Sequence, residues 1–295
     1  MRTIAEIASL SIHGLAIGSV YALMALAINV LFAARRVVNF AQGDLTMLAG
    51  LIAVALISRW GLPYFATLAV TVVLAAGLAL VIERVAIRPL PVEEDNISWI
   101  LAMVAVAIII ANASQLIFGT DPFDFPTLFS PQPIEFAGVR TGPERLLAIA
   151  FTAVFMIGFQ LIQNHTIHGK AMKAAARDAD MAAMLGISVK RYVAAAFATS
   201  GAVAAVAAFL VGPMTFVTPD LGFSLGIKGF AAAALGGLGT FGGAVAGGLI
   251  LGLVETLSGA YLGSIVKDSV SLIILCLILV FRPTGLVGEV RVVKV

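Results

Sequence analysis

The 295-residue chain has almost no cysteine and little charge. Its one thiol, Cys276, cannot close an internal disulfide, so cysteine neither staples the fold nor reports a redox compartment. Cys276 stands in the apolar run 271–281 and reads as a small hydrophobe buried in a core. Charged residues make up 12% of the chain, where a soluble domain carries about a quarter. Three histidines, His13, His165 and His168, do not form a metal set, and no HExxH or paired CxxC occurs. No metal, cofactor or catalytic residue is therefore expected, and an intramembrane enzyme is not expected either. No G-x-x-x-x-G-K-[ST] loop is present, so the chain does not itself hold ATP through a P-loop. A net charge of +2 without a basic run gives no reason to expect nucleic acid.

What fills the chain instead is apolar. Hydrophobic residues reach 61% and the mean hydropathy is +1.07. Such a chain cannot cover itself with polar surface, so lipid must be the solvent on its outside. A helix needs about 20 residues to cross the hydrocarbon core. Apolar stretches lie at about 6–33, 40–58, 62–82, 97–118, 145–163, 193–212, 219–238, 240–257 and 263–281. The expected fold is an all-α, polytopic transmembrane helix bundle of about eight or nine spans, with room for re-entrant or broken helices. The first stretch is long enough to be tilted or broken near His13-Gly14. Only Gly239 separates the seventh from the eighth, so these two form either crossings or a re-entrant pair. The start, Met1-Arg2-Thr3-Ile4-Ala5-Glu6, lacks the basic cluster and cleavage site of a signal peptide, so the first span is expected to be retained.

Basic residues orient the bundle. With 164–192 in the cytoplasm and strict alternation outward, the inside holds Arg35, Arg36, Arg84, Arg88, Lys170, Lys173, Arg177, Lys190, Arg191, Arg282, Arg291 and Lys294. These are 12 of the 18 basic residues, which puts the N-terminus outside and the C-terminus in the cytoplasm. The outer loop 119–144 carries prolines at 122, 126, 131, 133 and 143 and four acids against one base. Proline removes donors and fixes φ, so this loop reads as an ordered cap and not a helix. The inner loop 164–192 is rich in Ala, Met, Lys and Arg, which favour helix. Within it Asp178 or Asp180 suits an N-cap, and Gly186 suits a left-handed C′ position. Met181 and Leu185, four apart, share one face beside Arg177. That apolar face packs either on the protein's own helix ends or in a soluble partner.

Polar residues enter the membrane at three places. Asn39, Gln42, Gly43 and Asp44 follow the Arg35-Arg36 pair and run straight into apolar sequence. They read either as a polar helix start or as part of a translocation path or gate, because polar groups in hydrocarbon need a partner or water. Lys228 and Glu255 lie in or near late spans and are candidates for the same path, pairing with each other or, for Glu255, snorkelling outward. Asn29, Asn112 and Gln115 read as interhelical hydrogen-bond donors and acceptors. Glycines at 239, 243 and 247 and at 248 and 252 recur every fourth residue, opening grooves for close helix approach, more within the subunit than between subunits.

These stretches together resemble the membrane subunits of bacterial branched-chain amino-acid ABC importers, of the LivH type. Gly18-Ser19-Val20-Tyr21-Ala22-Leu23 resembles the family's first-span motif. Asn39-Phe40-Ala41-Gln42-Gly43 resembles its N-F-A-H-G signature, with glutamine where histidine is common. The inner loop through Lys190-Arg191, the stretch from Gly226-Ile227-Lys228-Gly229-Phe230 to Gly248, and Phe281-Arg282-Pro283-Thr284-Gly285-Leu286 resemble the rest. The resemblance implies one transmembrane domain over 1–295 in the inner membrane, with 164–192 a cytoplasmic coupling loop and 119–144 an extracytoplasmic loop. It also implies four partners: a related second permease or second copy, two ATP-binding-cassette subunits and an extracytoplasmic binding protein. The cargo class it implies covers branched-chain and other amino acids, short amides, urea and aromatic acids. Glutamine at 42 cannot titrate near neutral pH as histidine does. The competing classes are a stand-alone secondary transporter or channel, which calls for an ionisable relay deep in the membrane, and a structural scaffold.

Overall fold

A computed structural model describes residues 4–35, 37–90, 98–128, 133–136, 139–177, 179–282 and 284–287. Helix α1 (Ile4–Arg35) is its axis. Its 32 residues make a rod about 48 Å long, and every residue from Ala16 to Leu31 is buried. A helix that is apolar all round must be shielded from water, by protein or by lipid. Here α5 (Pro143–His165), α8 (Val189–Val211), α9 (Leu221–Gly236) and α10 (Phe241–Leu262) enclose it. Of the two readings of this long stretch, tilted or broken near His13-Gly14, the break is not adopted, because α1 is continuous. Gly14 is instead where the α10 backbone comes closest, a Cβ there lying 3.0 Å from Leu253 Cα.

Small residues set the helix spacing. In lipid, apolar side chains gain little from meeting each other, so close packing drives association. One stripe of α10, Gly243 and Gly247, lies on the α9 backbone at Gly236 and Ala232. A second stripe, Gly248 and Gly252, lies on α1 at Ala22 and Gly18. The glycine run is therefore packed within the subunit, on two neighbours at once. Likewise α3 (Tyr64–Ile82, extended by a π turn, Glu83–Ile87) lays Ala75 and Ala79 on Gly201 of α8. Helix α2 (Gln42–Trp60) packs between α8 and α9. The outer wall is formed by α4 (Ser98–Phe118), α5 and α11 (Ser264–Phe281), which present Leu116, Ile109, Val154 and Val280 outward. Large side chains outside and small ones inside is the arrangement expected with lipid as solvent.

Among the described residues seven helices are long and apolar enough to cross a membrane: α1, α2, α3 with its π turn, α4, α5, α8 and α10. The other two apolar segments are α9, only 16 residues, and α11, with Lys267 and Asp268 near its start. The pair around Gly239 is two separate helices joined by a turn in which Gly237 and Gly239 have φ of 112° and 81°. The outer loop holds an antiparallel hairpin, β1 (Ile134–Phe136) and β2 (Val139–Thr141). Phe123 and Val217 exchange backbone hydrogen bonds of 3.0 Å, and Phe125 covers Gly212 and meets Phe209 edge-on. The inner loop folds into α6 (Ile167–Arg177) and α7 (Ala179–Met184). Cys276 is exposed on α11, not buried, because α11 turns only one face to the bundle.

Candidate functional site

The α1–α2 junction builds the first group. Asn39 Oδ1 accepts the Ala41 N–H at 3.0 Å, a side-chain turn that reverses the chain and lets α2 begin at Gln42. Asn39 Nδ2 donates to Gln42 Oε1 at 3.3 Å. Ser200 Oγ donates to that same oxygen at 2.6 Å, and Gln42 Nε2 donates to the Ser200 carbonyl at 3.2 Å. Ser200 is the central residue of the 23 in α8, so Gln42 is held at mid-depth in the bundle. After Arg35 the chain thus turns back, and α2 starts inside the membrane thickness. The neutral amide of Gln42 both donates and accepts here, a dual role that also suits an uncharged position.

Gly43 has no space for a side chain: a Cβ would overlap the Gly222 carbonyl and the Gly226 backbone. Asp44, third residue of α2, is only 6% exposed. Its carboxylate lies against Gly222, where a Cβ would stand 2.5 Å from Asp44 Oδ1. No cationic side chain among the described residues is within ion-pair distance of it. Phe40, half-exposed, packs on Phe230 of α9 with ring centroids 5.8 Å apart.

The second group is ionic. Lys228 Nζ on α9 lies 2.9 Å from Glu255 Oε1 on α10 and 2.7 Å from Asp268 Oδ1 on α11. Lys267 Nζ is 3.6 Å from Glu255 Oε1, and Ser271 Oγ donates to Glu255 Oε2 at 3.2 Å. The Lys228 ammonium also stands 5.9 Å from the Tyr21 ring centroid. The pairing of Lys228 with Glu255, one of two options read from the residues, is the one adopted. Sequence reasoning missed Asp268, Lys267 and Ser271, although charges opening an apolar run are a signal worth following. Two lysines and two carboxylates leave the group neutral, which makes it tolerable inside the bundle.

The third group is the inner loop. Asp178 lies outside the described residues, as do the side chains of Arg177 and Asp180. Gly186 has φ 80°. Its N–H bonds the Ala183 carbonyl at 3.0 Å and the Ile187 N–H bonds that of Ala182 at 2.9 Å, the paired closure of a Schellman end. Ala182 is buried, while Met181, Met184 and Leu185 are 61%, 83% and 80% exposed. The protein's own helix ends therefore leave Met184 and Leu185 largely uncovered. Helix α6, not separated from α7 in the sequence reading, starts where Thr166 Oγ1 accepts the Gly169 N–H at 3.0 Å. Between α6 and the start of α8 lies an open cleft of about 740 Å³ lined by Ile167, Lys170, Ala174, Ile187, Arg191 and Tyr192.

Two further contacts hold α9. Asn29 Nδ2 donates to the Thr240 and Gly237 carbonyls at 2.7 and 3.3 Å, and its Oδ1 accepts the Gly239 N–H at 3.2 Å. The chain near its C-terminus donates Leu286 and Val287 N–H to the Leu235 and Gly236 carbonyls at 2.9 and 3.1 Å. Among the described residues Asn112 makes no bond to another helix. It bonds the Ile108 carbonyl of its own turn at 2.8 Å, and it and Gln115 are exposed.

A sequence family described as branched-chain amino acid transport system / permease component matches residues 10–281. The high-affinity branched-chain amino acid transport system permease protein BraD of Pseudomonas aeruginosa is 35% identical, over 96% of this chain and 96% of its own length. The corresponding protein LivH of Escherichia coli is 34% identical over the same shares. A solved structure, PsaBC from Streptococcus pneumoniae in complex with Fab, is 15% identical with a TM-score of 0.48, covering 90% of this chain and 87% of that one.

Proposed function

The chain belongs to the family of branched-chain amino acid transport system permease components, and from that premise we propose that it forms half of a translocation pore for amino acids of the branched-chain type. It is a membrane permease subunit of an ABC importer, and its relatives are transport proteins, not enzymes. Its pore partner is a related permease or a second copy. Two ATP-binding-cassette subunits sit on the cytoplasmic side, and an extracytoplasmic binding protein delivers cargo to the outer loop. The N-terminus faces outward and the C-terminus the cytoplasm, in line with the basic-residue bias.

The observation that carries the coupling assignment is the open apolar edge of α7. Met181, Met184 and Leu185 project from a short helix in a loop whose basic residues mark it as cytoplasmic. Water-exposed methionine and leucine on one helix edge suit a groove in a soluble partner. From α7 a continuous set of contacts leads inward. The Gly186 turn leads directly into α8, Ser200 of α8 holds Gln42, and Gly43 seats α2 on α9. Motion of α7 on ATP binding would therefore reach the mid-membrane junction through α8.

The Met181→Asp/Leu185→Asp double variant tests this. The expected result is a chain that inserts normally but no longer copurifies with the ATPase subunits and no longer supports uptake. Normal copurification and uptake would reject the assignment.

A further inference from the structure

Resting on the amino-acid permease reading, we infer that Asp44 receives the α-ammonium group of the cargo at mid-membrane, with the Phe40–Phe230 ring pair beneath the cargo's aliphatic side chain.

Two buried acids of the membrane helices, Glu255 and Asp44, are treated differently by the fold. Glu255 is fully buried and has Lys228, Lys267 and a Ser271 hydroxyl around it. Asp44 is almost as buried, yet no lysine, arginine or histidine among the described residues pairs with it. An anion placed in hydrocarbon without a partner is costly, and intramembrane acids face a partner or a water path. What surrounds Asp44 instead are two helix N-termini. It sits in the first turn of α2, and its carboxylate lies on Gly222 in the first turn of α9, which has no side-chain cap. Each such end carries a partial positive charge of about half a unit at most. That field offsets part of the cost of burying the carboxylate and brings no resident cation. A lysine in the same place would occupy it permanently. The arrangement fits an acid whose cation comes and goes.

The surroundings suit the rest of an aliphatic amino acid. Phe40 lies one helical turn before Asp44, and Phe230 two turns along α9 from Gly222. Phe223, next to Gly222, is largely exposed. Phe40 and Phe230 form an apolar surface on the same α2–α9 seam as the carboxylate, and aromatic faces also attract ammonium groups. This side of α9 is poorly suited to lipid. The helix is 16 residues, about 24 Å, and is entered through the irregular backbone of 215–220. Irregular backbone at membrane depth is tolerated where it meets protein or a water-filled path. Between α2 and α9 the seam at Gly43, Gly222 and Gly226 is backbone against backbone, crossed by the Asp44 carboxylate on Gly222 and by the Phe40–Phe230 contact.

The test uses the whole complex in proteoliposomes: both permeases, the ATPases and the binding protein. Leucine uptake by wild type is measured beside Asp44→Asn and Asp44→Glu. Uptake is expected to fall at least tenfold in Asp44→Asn and to stay within about threefold of wild type in Asp44→Glu, with all subunits copurifying. In parallel, an apolar carbodiimide labels Asp44 in the wild-type complex, read by peptide mass. Leucine should slow this labelling, and 4-methylpentanoate, the same skeleton without the amino group, should not. Uptake by Asp44→Asn within twofold of wild type overturns the inference, as does equal loss in Asp44→Glu. If Asp44→Asn does not assemble, the labelling decides. Labelling that leucine does not slow, or no labelling at all, then overturns it, because an acid that meets the cargo must be reachable from the path. A wild-type complex that takes up no leucine would instead reject the amino-acid permease reading itself.

Discussion

Single atoms decide whether the α2–α9 crossing forms. A methyl group on Gly43 would fall on the backbone of Gly222 and Gly226, whereas one on Gly226 meets nothing nearer than 3.6 Å. Gly43→Ala should therefore lose roughly 1–3 kcal/mol through overpacking. Gly226→Ala should be neutral or slightly stabilising, since alanine is the better helix former by about 0.5–1 kcal/mol. Parallel thermal melts in lipid nanodiscs check the contrast, and equal melting temperatures would contradict it. The ionic group makes a second residue-scale case. Lys228→Met removes the nearest cation from buried Glu255, leaving Lys267 at 3.6 Å and the Ser271 and Tyr21 hydroxyls. Breaking a buried pair in this way costs roughly 3–5 kcal/mol, while neutralising both partners is often tolerated. Lys228→Met should be strongly destabilised, and Lys228→Met/Glu255→Gln should recover most of the loss in the same melts. A double variant as unstable as the single one would mean that the pair is not the origin of the effect.

At the scale of elements, α9 is the helix that most depends on others. It is too short to span alone and is rich in glycine and alanine, so it contributes little packing volume of its own. Three hydrogen bonds from Asn29 hold its exit turn, and two N–H groups of the C-terminal segment satisfy its last carbonyls. Interhelical bonds in membranes average about 0.6 kcal/mol, so Asn29→Leu should lose about 2 kcal/mol. A chain ended after Arg282 should show faster hydrogen exchange at residues 235–239, with α3 and α8 unchanged. Unaltered exchange at 235–239 would show that the segment does not cap the helix. The Phe281-Arg282-Pro283-Thr284-Gly285-Leu286 stretch thus has a local physical reason: Gly285, at φ 75°, lets the chain pass against Gly237.

For the whole molecule, the proposed orientation follows from charge and carries a direct test. Cys276 is exposed, so Cys276→Ser should be tolerated and gives a thiol-free background. Single cysteines at positions 121 and 170 should then react with a membrane-impermeant maleimide from opposite faces, with position 121 labelled on intact cells. Labelling of position 170 on intact cells would reverse the topology. The proposed orientation would put the exposed edge of α7 and the cleft beside α6 on the face proposed for the ATPase subunits, and the β1–β2 hairpin on the face proposed for a binding protein.

Composition and periodicity alone determined that this is a helical membrane bundle, because the number and length of apolar runs are set by bilayer thickness. All nine runs became helices. They also located the inner-loop helix end at Gly186, since a left-handed position selects glycine locally. The glycine spacing announced close approach but not its partners, and only the packed bundle assigned one stripe to α9 and the other to α1. The pairing of Lys228 with Glu255 was one of two readings, and its extension to Asp268 and Ser271 needed the relative rotation of three helices. The depth of Gln42 was not legible either. Arg35-Arg36 marks an edge, but the turn back to mid-membrane depends on Ser200, 158 residues away. Contacts of that kind are invisible in sequence because they arise from how helices cross, and crossing is decided by the three-dimensional fit of small side chains.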